Sequence, residues 1–136
     1  MSCPYFYPVE RIGLWSGPER MPLGDPYRGQ CHADPHQEWL PDEEMLVGFC
    51  NTGYARSRCP RFPAGECADA VRFVVSADDG ERLVIRYATE RGHLPYSYGT
   101  VECTCADMRL SVPMGPPLDR QILAFAGSYM RRKAAR

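Results

Sequence analysis

The sequence predicts an α+β fold in which a small antiparallel sheet is packed by a C-terminal helix, within a single domain of 136 residues. Two patterns predict it: apolar and polar residues alternate on both sides of an Asp-Gly turn, and a helical apolar repeat follows near the C-terminus. A third observation concerns the N-terminal half, which is rich in proline and cysteine and has no regular period. The chain length and the hydrophobic share of 44% are typical of one globular domain.

The sheet is predicted over residues 70–110. Strands are expected near 70–77 and 82–89, because alternation on both sides of Asp79-Gly80 is a strong hairpin signal. A third strand is expected near 98–106, since a two-stranded ribbon alone is only marginally stable. Side chains on a strand repeat every second residue, so the third strand would place one set on the same face: Val101, Cys103 and Cys105.

The C-terminal helix is predicted over 117–133 and should cover the sheet. Its apolar side chains recur at i, i+4, i+7 and i+11, with one more beside them: Leu118, Ile122, Phe125, Tyr129 and Met130. The chain then ends in a basic tail that suits the negative end of the helix dipole, namely Arg131, Arg132, Lys133 and Arg136. We interpret the tail as a solubilising helix end rather than a binding site.

Residues 1–41 are predicted to form an extended, proline-rich arm. Prolines and glycines interrupt every possible helix there, and frequent aromatic residues require burial, so we expect the arm to wrap around its own domain. A short helix should follow from Asp42, an N-cap residue, with Glu43 and Glu44 in the first turn. Gly48 is expected to end or bend it.

The segment 42–69 is predicted to be the main part of a metal site. It contains Cys50, Cys59 and Cys67 at spacings C-x8-C and C-x7-C, and it is too irregular to order itself by burying apolar surface. A metal bound to these thiolates would supply folding free energy. Cys31, which follows a glycine turn, is the expected fourth ligand, and the alternative ligands are Cys103, Cys105 and His32. Cysteines that are merely buried apolar side chains, or a disulfide framework, are the competing interpretations.

An iron–sulfur cluster is favoured over zinc. Structural zinc sites usually contain C-x2-C pairs, and this chain has none, whereas clusters accept wider spacings. Cys59-Pro60 and Cys3-Pro4 match the Cys-Pro step of some ferredoxin motifs. Three positive side chains lie between the thiols and would offset thiolate charge: Arg56, Arg58 and Arg61. We predict a 4Fe–4S cluster, with Zn²⁺ as the alternative; His32 and His36 are not treated as a helical metal pair because Pro35 lies between them.

Three functions are compatible with this chemistry. The first is an iron–sulfur protein for electron transfer, or an accessory subunit of a larger redox enzyme, which is not an enzyme on its own and whose partner is a larger redox protein. The second is a zinc-stabilised protein-interaction module without catalysis. The third is a thiol-dependent redox enzyme that uses Cys103 and Cys105, with Arg91 or His93 activating a thiol.

Other classes are disfavoured by composition. The formal net charge of −1 does not favour nucleic acid as a partner. No run approaches the roughly 18–20 apolar residues of a membrane span, and the first residues lack the pattern of a secretory signal. The expected compartment is therefore the cytoplasm, where thiols stay reduced; seven cysteines also cannot all pair with one another.

Overall fold

A hairpin of long strands forms one side of the main sheet in the computed structural model, which describes residues 1–12 and 21–135. Strands β3 (Ala70–Asp78) and β4 (Arg82–Arg91) are antiparallel. The turn between them is stabilised by Asp79, whose Oδ1 accepts the Arg82 N–H at 2.7 Å. The hairpin predicted from alternation is thus present, with its turn at Asp79-Gly80.

Strand β5 (Leu94–Thr104) and the short β6 (Arg109–Leu110) complete a four-stranded antiparallel sheet in the order β3-β4-β5-β6. β5 is the third strand expected from the sequence, although it begins earlier. Val101 and Cys103 point into the core, while Cys105 lies beyond the strand end and is partly buried against the same core.

The C-terminal helix α2 (Leu118–Ala134) packs on this sheet, close to its predicted bounds. Ile122 and Ala126 are fully buried against Leu83 and Ile85. All five predicted apolar residues of the helix pack in or against this first core: Leu118, Ile122, Phe125, Tyr129 and Met130. Arg136 of the basic tail lies outside the described residues. Among residues 1–12 and 21–135, no helix combines the length and the apolar character that a membrane span needs.

The N-terminal region differs from the predicted irregular arm, because it contains a second, two-stranded sheet. Strands β1 (Phe6–Arg11) and β2 (Tyr27–Cys31) are antiparallel and pair Pro8 with Gly29. Proline is tolerated there because the ladder shifts register next to it. A side chain at Gly29 would collide with the Tyr7 carbonyl oxygen, so a glycine is needed opposite the proline. The part of the predicted arm at 13–20 lies outside the described residues.

A second core joins this small sheet to the chain that follows it. Phe6, Leu23 and Tyr27 are buried together with Leu46 and Cys50. The arm residues that the structure describes therefore pack on the chain's own domain. Helix α2 lies between the two cores, since Ala124 contacts the second core and Ile122 the first.

The short helix predicted from Asp42 is present as α1 (Glu43–Met45), and the Asp42 carboxylate caps it by accepting the Met45 N–H at 2.9 Å. It does not end at Gly48. It continues as a π-helical turn over Leu46–Cys50. Such turns are rare and often occur at functional sites.

Asp78 should make the stability of the fold depend on acid pH. Its carboxylate accepts hydrogen bonds from Lys133 Nζ at 2.8 Å and from the Tyr129 hydroxyl at 2.9 Å. The Lys133 ammonium, with further hydrogen bonds from the Gly80 N–H and Tyr129, lowers the pKa of Asp78 from 3.8 to about 2. A lowered folded-state pKa gives stabilisation that is present above the unfolded pKa and is lost as pH falls from 3.8 towards 2.

We therefore expect Asp78→Asn to lower the urea midpoint at about pH 6 and to differ much less from the parent protein at about pH 2. The same change at exposed Asp107 serves as the control and should have little effect at either pH. A midpoint difference that stays constant across this range would contradict the assignment.

Candidate metal centre

Four cysteines from separate parts of the chain line one apolar cavity. Cys3 precedes β1, Cys31 ends β2, Cys50 ends the π-helical turn and Cys59 lies in the following loop. The cavity has a volume of about 20 Å³, which is close to the minimum space for one water molecule. Apart from the thiols, its lining is aromatic or aliphatic with a single charged residue: Tyr5, Phe6, Ala33, Trp39, Phe49, Ala55, Phe62 and Arg61.

Cys3 and Cys50 form the inner half of this group. The Cys3 N–H donates to the Cys50 carbonyl oxygen at 3.1 Å. Asn51, next to Cys50, is buried and binds β2, since its side chain accepts the Tyr27 N–H at 3.0 Å and donates to the Tyr27 carbonyl at 2.9 Å. The π-helical turn and β2 therefore hold Cys50 in a fixed place.

Ser2, next to Cys3, is bound by β3 and α2. Ser2 exchanges two backbone hydrogen bonds with Val71 of β3, each 2.8 Å long. The fully buried side chain of Gln121 in α2 accepts from the Ser2 hydroxyl at 2.7 Å and donates to the carbonyls of Cys3 at 2.8 Å and Phe6 at 2.7 Å. Cys3 is therefore positioned by the four-stranded sheet, by helix α2 and by the π-helical turn.

Cys31 and Cys59 form the outer half. Cys31 is bridged to Trp39, with its N–H donating to the Trp39 carbonyl at 2.7 Å. The Cys59 N–H donates to the Ala55 carbonyl at 2.8 Å within a tight turn. These backbone bonds fix the backbone at both cysteines, Cys31 at the end of β2 and Cys59 in the loop after the π-helical turn.

Burial raises the pKa of three of these thiols, Cys3, Cys31 and Cys50. Removal from water raises the pKa of Cys3 to about 12, and nearby Cys31 and Cys59 raise it further against the lowering effect of backbone N–H groups. Burial also raises the pKa of Cys50 and of Cys31 above 9.0. The pKa of Cys50 is raised in addition by Cys3, Cys31 and Cys59, so the four sulfurs are close enough to affect one another's charge.

Three arginines stack on three of the aromatic rings that line the cavity. Their guanidinium carbons lie 4.9 Å from the Phe62 ring for Arg56, 4.9 Å from the Phe49 ring for Arg58 and 4.4 Å from the Trp39 ring for Arg61. Cation–π contacts of this kind hold a positive charge at a ring face. Three positive charges therefore lie against the aromatic residues of the cavity lining, and one of them, Arg61, is itself part of that lining.

The structure places Cys67, a ligand predicted from the sequence, outside the lining of this cavity. Its Sγ accepts a hydrogen bond from Arg56 Nη2 at 3.1 Å, and the same guanidinium forms an ion pair with Asp69 at 2.6 Å. Tyr5, which lines the cavity, also contacts Cys67: burial raises the pKa of the Tyr5 hydroxyl to about 12, with a hydrogen bond to Cys67 as the next cause. Of the four predicted ligands, the structure brings together Cys31, Cys50 and Cys59.

Cys3 is the fourth cysteine that lines the cavity, and it was not among the predicted ligands or their alternatives. One signal in the sequence pointed to it. Cys3-Pro4 repeats the Cys-Pro step of Cys59-Pro60, and both of these cysteines line the cavity.

The alternative ligands lie elsewhere. His32 stacks on Tyr7 at 4.6 Å and is hydrogen-bonded to Gln30 at 3.0 Å. Cys103 is fully buried in the first core, and that burial raises its pKa. None of the three alternative ligands, His32, Cys103 and Cys105, lines the four-cysteine cavity.

The two groups expected to activate the Cys103–Cys105 pair have other neighbours. His93 stacks on Tyr54 at 4.2 Å, and Arg91 forms an ion pair with Glu66 at 3.3 Å. A raised pKa keeps Cys103 as the neutral thiol, which is the less nucleophilic form. Arg91 and His93 thus have partners other than this pair, whereas Lys133 lies close enough to Cys105 for their charges to interact. The thiol-redox hypothesis stays a prediction.

Within residues 1–12 and 21–135, no three His, Cys, Asp or Glu side chains are arranged to hold a single metal ion. Comparisons of the chain with protein-family models, with curated proteins and with solved structures found no match.

Proposed function

We propose that this protein binds a 4Fe–4S cluster through Cys3, Cys31, Cys50 and Cys59 and transfers electrons with it. The observation that carries the proposal is the convergence of four cysteines, from four separate segments, on one apolar cavity. Thiolates are the usual ligands of such clusters, four to a cluster. The competing interpretation is that the four thiols are buried together as small apolar side chains.

The surroundings suit an anionic cofactor. Four thiolates exceed the positive charge of the iron–sulfur core, so the loaded site would be anionic, and Arg56, Arg58 and Arg61 would offset part of that charge. The aromatic layer would keep water from the inorganic sulfides. Charge, hydrogen bonding and exposure are the factors by which a protein sets the potential of a cluster.

The cysteine spacing, which contains no C-x2-C pair, is the observation that favours a cluster over zinc. In a tetrahedral zinc site, Zn–S bonds of about 2.3 Å bring the sulfurs to about 3.8 Å from one another. In a 4Fe–4S cluster each thiolate binds a different iron, so the sulfurs surround a space. The four cysteines here line a space of only about 20 Å³ together with eight other residues, so their side chains would have to turn outward for a cluster to bind.

Electron transfer is the role that such a site supports best. The cluster would lie a few side chains below the surface, beneath arginine-covered rings, so that electrons have only a short distance to cross. The partner would be a larger redox protein, as an electron carrier needs a donor and an acceptor. A zinc-stabilised interaction module is the second candidate, because the same thiolates can bind zinc.

Anaerobic reconstitution with iron and sulfide tests the proposal. We expect a brown protein with a broad visible absorption band and nearly equal amounts of bound iron and acid-labile sulfide, close to four of each per chain. Dithionite should bleach the band and air should restore it in part.

A parallel reconstitution with zinc separates the two candidates. A colourless protein that binds one zinc per chain and takes up no iron or sulfide would overturn the cluster and support the interaction module. Failure to bind either metal would show that the four thiols are a structural group.

A further inference from the structure

A groove with a volume of about 640 Å³ lies between the small sheet and the chain that leads into α1. Among the described residues it shares no lining with the four-cysteine cavity. Gly29, in the middle of β2, lines the groove, and so does Pro41, just before α1. The groove is therefore a separate feature of the surface, and the edge of β2 forms part of its wall.

The backbone groups of β2 alternate between its two edges, as in any antiparallel strand. On the edge that faces β1, the Ile12 N–H donates to the Pro26 carbonyl at 3.0 Å, and the His32 N–H donates to the Tyr5 carbonyl at 2.8 Å. The even-numbered residues of β2 therefore bond towards β1. The odd-numbered residues present their N–H and C=O groups on the opposite edge: Tyr27, Gly29 and Cys31.

Two of these three residues have partners on that outer edge. The Asn51 side chain bonds to both the N–H and the carbonyl of Tyr27. Cys31 and Trp39 exchange two backbone bonds, of 2.7 and 3.3 Å. Gly29, between them, is buried, and its N–H and C=O have no hydrogen-bond partner on this edge among residues 1–12 and 21–135. A buried donor and acceptor without partners cost free energy, so a ligand that bonds to both recovers it.

Pro41 explains why the chain does not pair with Gly29 itself. Trp39 lies antiparallel to Cys31, so the residue two positions after Trp39 comes into register with Gly29, and that residue is Pro41. Proline has no N–H to donate to the Gly29 carbonyl. The chain then turns into α1 at Glu43, and the groove opens where the backbone pairing stops.

The rest of the groove offers apolar surface and negative charge. Leu40 is 73% exposed and Val9 is 48% exposed, and both line it. Glu10 forms an ion pair with Arg28 at 3.1 Å, which balances those two charges. Glu43 also lines the groove and is exposed, and it forms no ion pair with a described residue. One carboxylate thus remains unbalanced beside the apolar side chains.

We propose that this groove binds a short extended segment of a partner protein in which an apolar residue is followed by a basic one. The segment bonds to the N–H and C=O of Gly29 as a peptide does when it adds to a sheet edge. Its apolar side chain lies against Leu40 and Val9, and its basic side chain lies near Glu43. Because only one residue of the edge is open, the backbone bonds are few and the side chains give the specificity.

Titration of the ¹⁵N-labelled full chain with the blocked peptide acetyl-Lys-Leu-Val-Lys-amide tests this inference. The protein is used without added iron, so the result does not depend on the proposed cluster. We expect the Gly29 amide resonance to shift and to saturate at millimolar peptide. The same peptide N-methylated at its two central residues keeps the side chains but loses the backbone donors, and it should bind roughly five- to tenfold more weakly.

A matched pair of charge variants tests the acidic side of the groove. Glu43→Lys should weaken peptide binding several-fold, whereas Glu44→Lys, at an exposed neighbour in the same helical turn that does not line the groove, should weaken it much less. The difference between the two variants should decrease as salt is added, because salt screens exposed charges.

Three results would overturn the inference. They are an unchanged Gly29 resonance at millimolar peptide, equal binding of the N-methylated peptide, and equal weakening by the two charge variants. A Gly29 resonance that shifts with protein concentration in the absence of peptide would assign the groove to a second copy of this chain, which also contradicts a peptide of a partner as the occupant.

Discussion

Replacing Cys3 with serine is expected to abolish cluster binding, whereas the same change at Cys67 should leave it intact. Cys3 lines the four-cysteine cavity, but Cys67 lies outside it and is bound to Arg56. The serine hydroxyl is a harder and much less acidic ligand than a thiol, so loss of one thiolate removes a soft ligand that iron requires. Iron, sulfide and the visible band of both variants, after the same anaerobic reconstitution, measure the difference.

This pair is matched because both cysteines are partly exposed and both substitutions replace only the sulfur atom with oxygen. Circular dichroism of each apoprotein should first show that the variants fold. Retention of a full cluster in Cys3→Ser together with its loss in Cys67→Ser would show that the ligand set predicted from the sequence, and not the one in the cavity, is right.

Gln121→Leu is expected to lower the free energy of unfolding by about 3 kcal/mol, because it removes three hydrogen bonds, two of them fully buried, while leaving their partners in place. The Ser2 hydroxyl and the carbonyls of Cys3 and Phe6 would lose the amide that joins them. The same change should weaken cluster retention, since Gln121 positions the backbone of Cys3. Urea denaturation of the apoprotein and the rate of iron loss to a chelator measure the two effects.

The same substitution at exposed Gln37 is the stability control, and it should change the urea midpoint by much less. Gln121→Glu retains an acceptor for Ser2 but loses the donor to the two carbonyls, so we expect it to be destabilising as well. A Gln121→Leu variant as stable as the parent, with unchanged iron retention, would mean that α2 does not support the site.

The parts of the fold that the sequence predicted well are those with a strong local period. The hairpin around Asp79-Gly80, the third strand and the helix that buries Ile122 all arise from side-chain repeats and turn residues that are neighbours in sequence. The small sheet of β1 and β2 was missed, because Pro8 and Gly29 are signals of irregular chain when each is considered alone. Only the folded structure shows that Pro8 pairs with Gly29, where there is no room for a side chain.

The candidate site likewise contains residues that were predicted from the sequence and one that was not. The cysteine-rich segment, its arginines and the convergence of Cys31, Cys50 and Cys59 were predicted from residue type and spacing. Cys3 was not, since 47 positions separate it from Cys50 and no repeat joins them. Its place depends on Gln121, Val71 and the Cys50 carbonyl, which come near it only when the chain is folded.

The sequence by itself thus determined the α+β class, the long strands, the helix and a thiol-rich region with compensating positive charge, because each is encoded by neighbouring residues. The tertiary structure alone decided which four thiols line one cavity, that Cys67 lies outside this lining and contacts Arg56 and Tyr5, and that Cys31 faces a cleft. The physical reason is that burial and hydrogen bonds between distant segments, rather than local conformational preference, choose the neighbours of each cysteine.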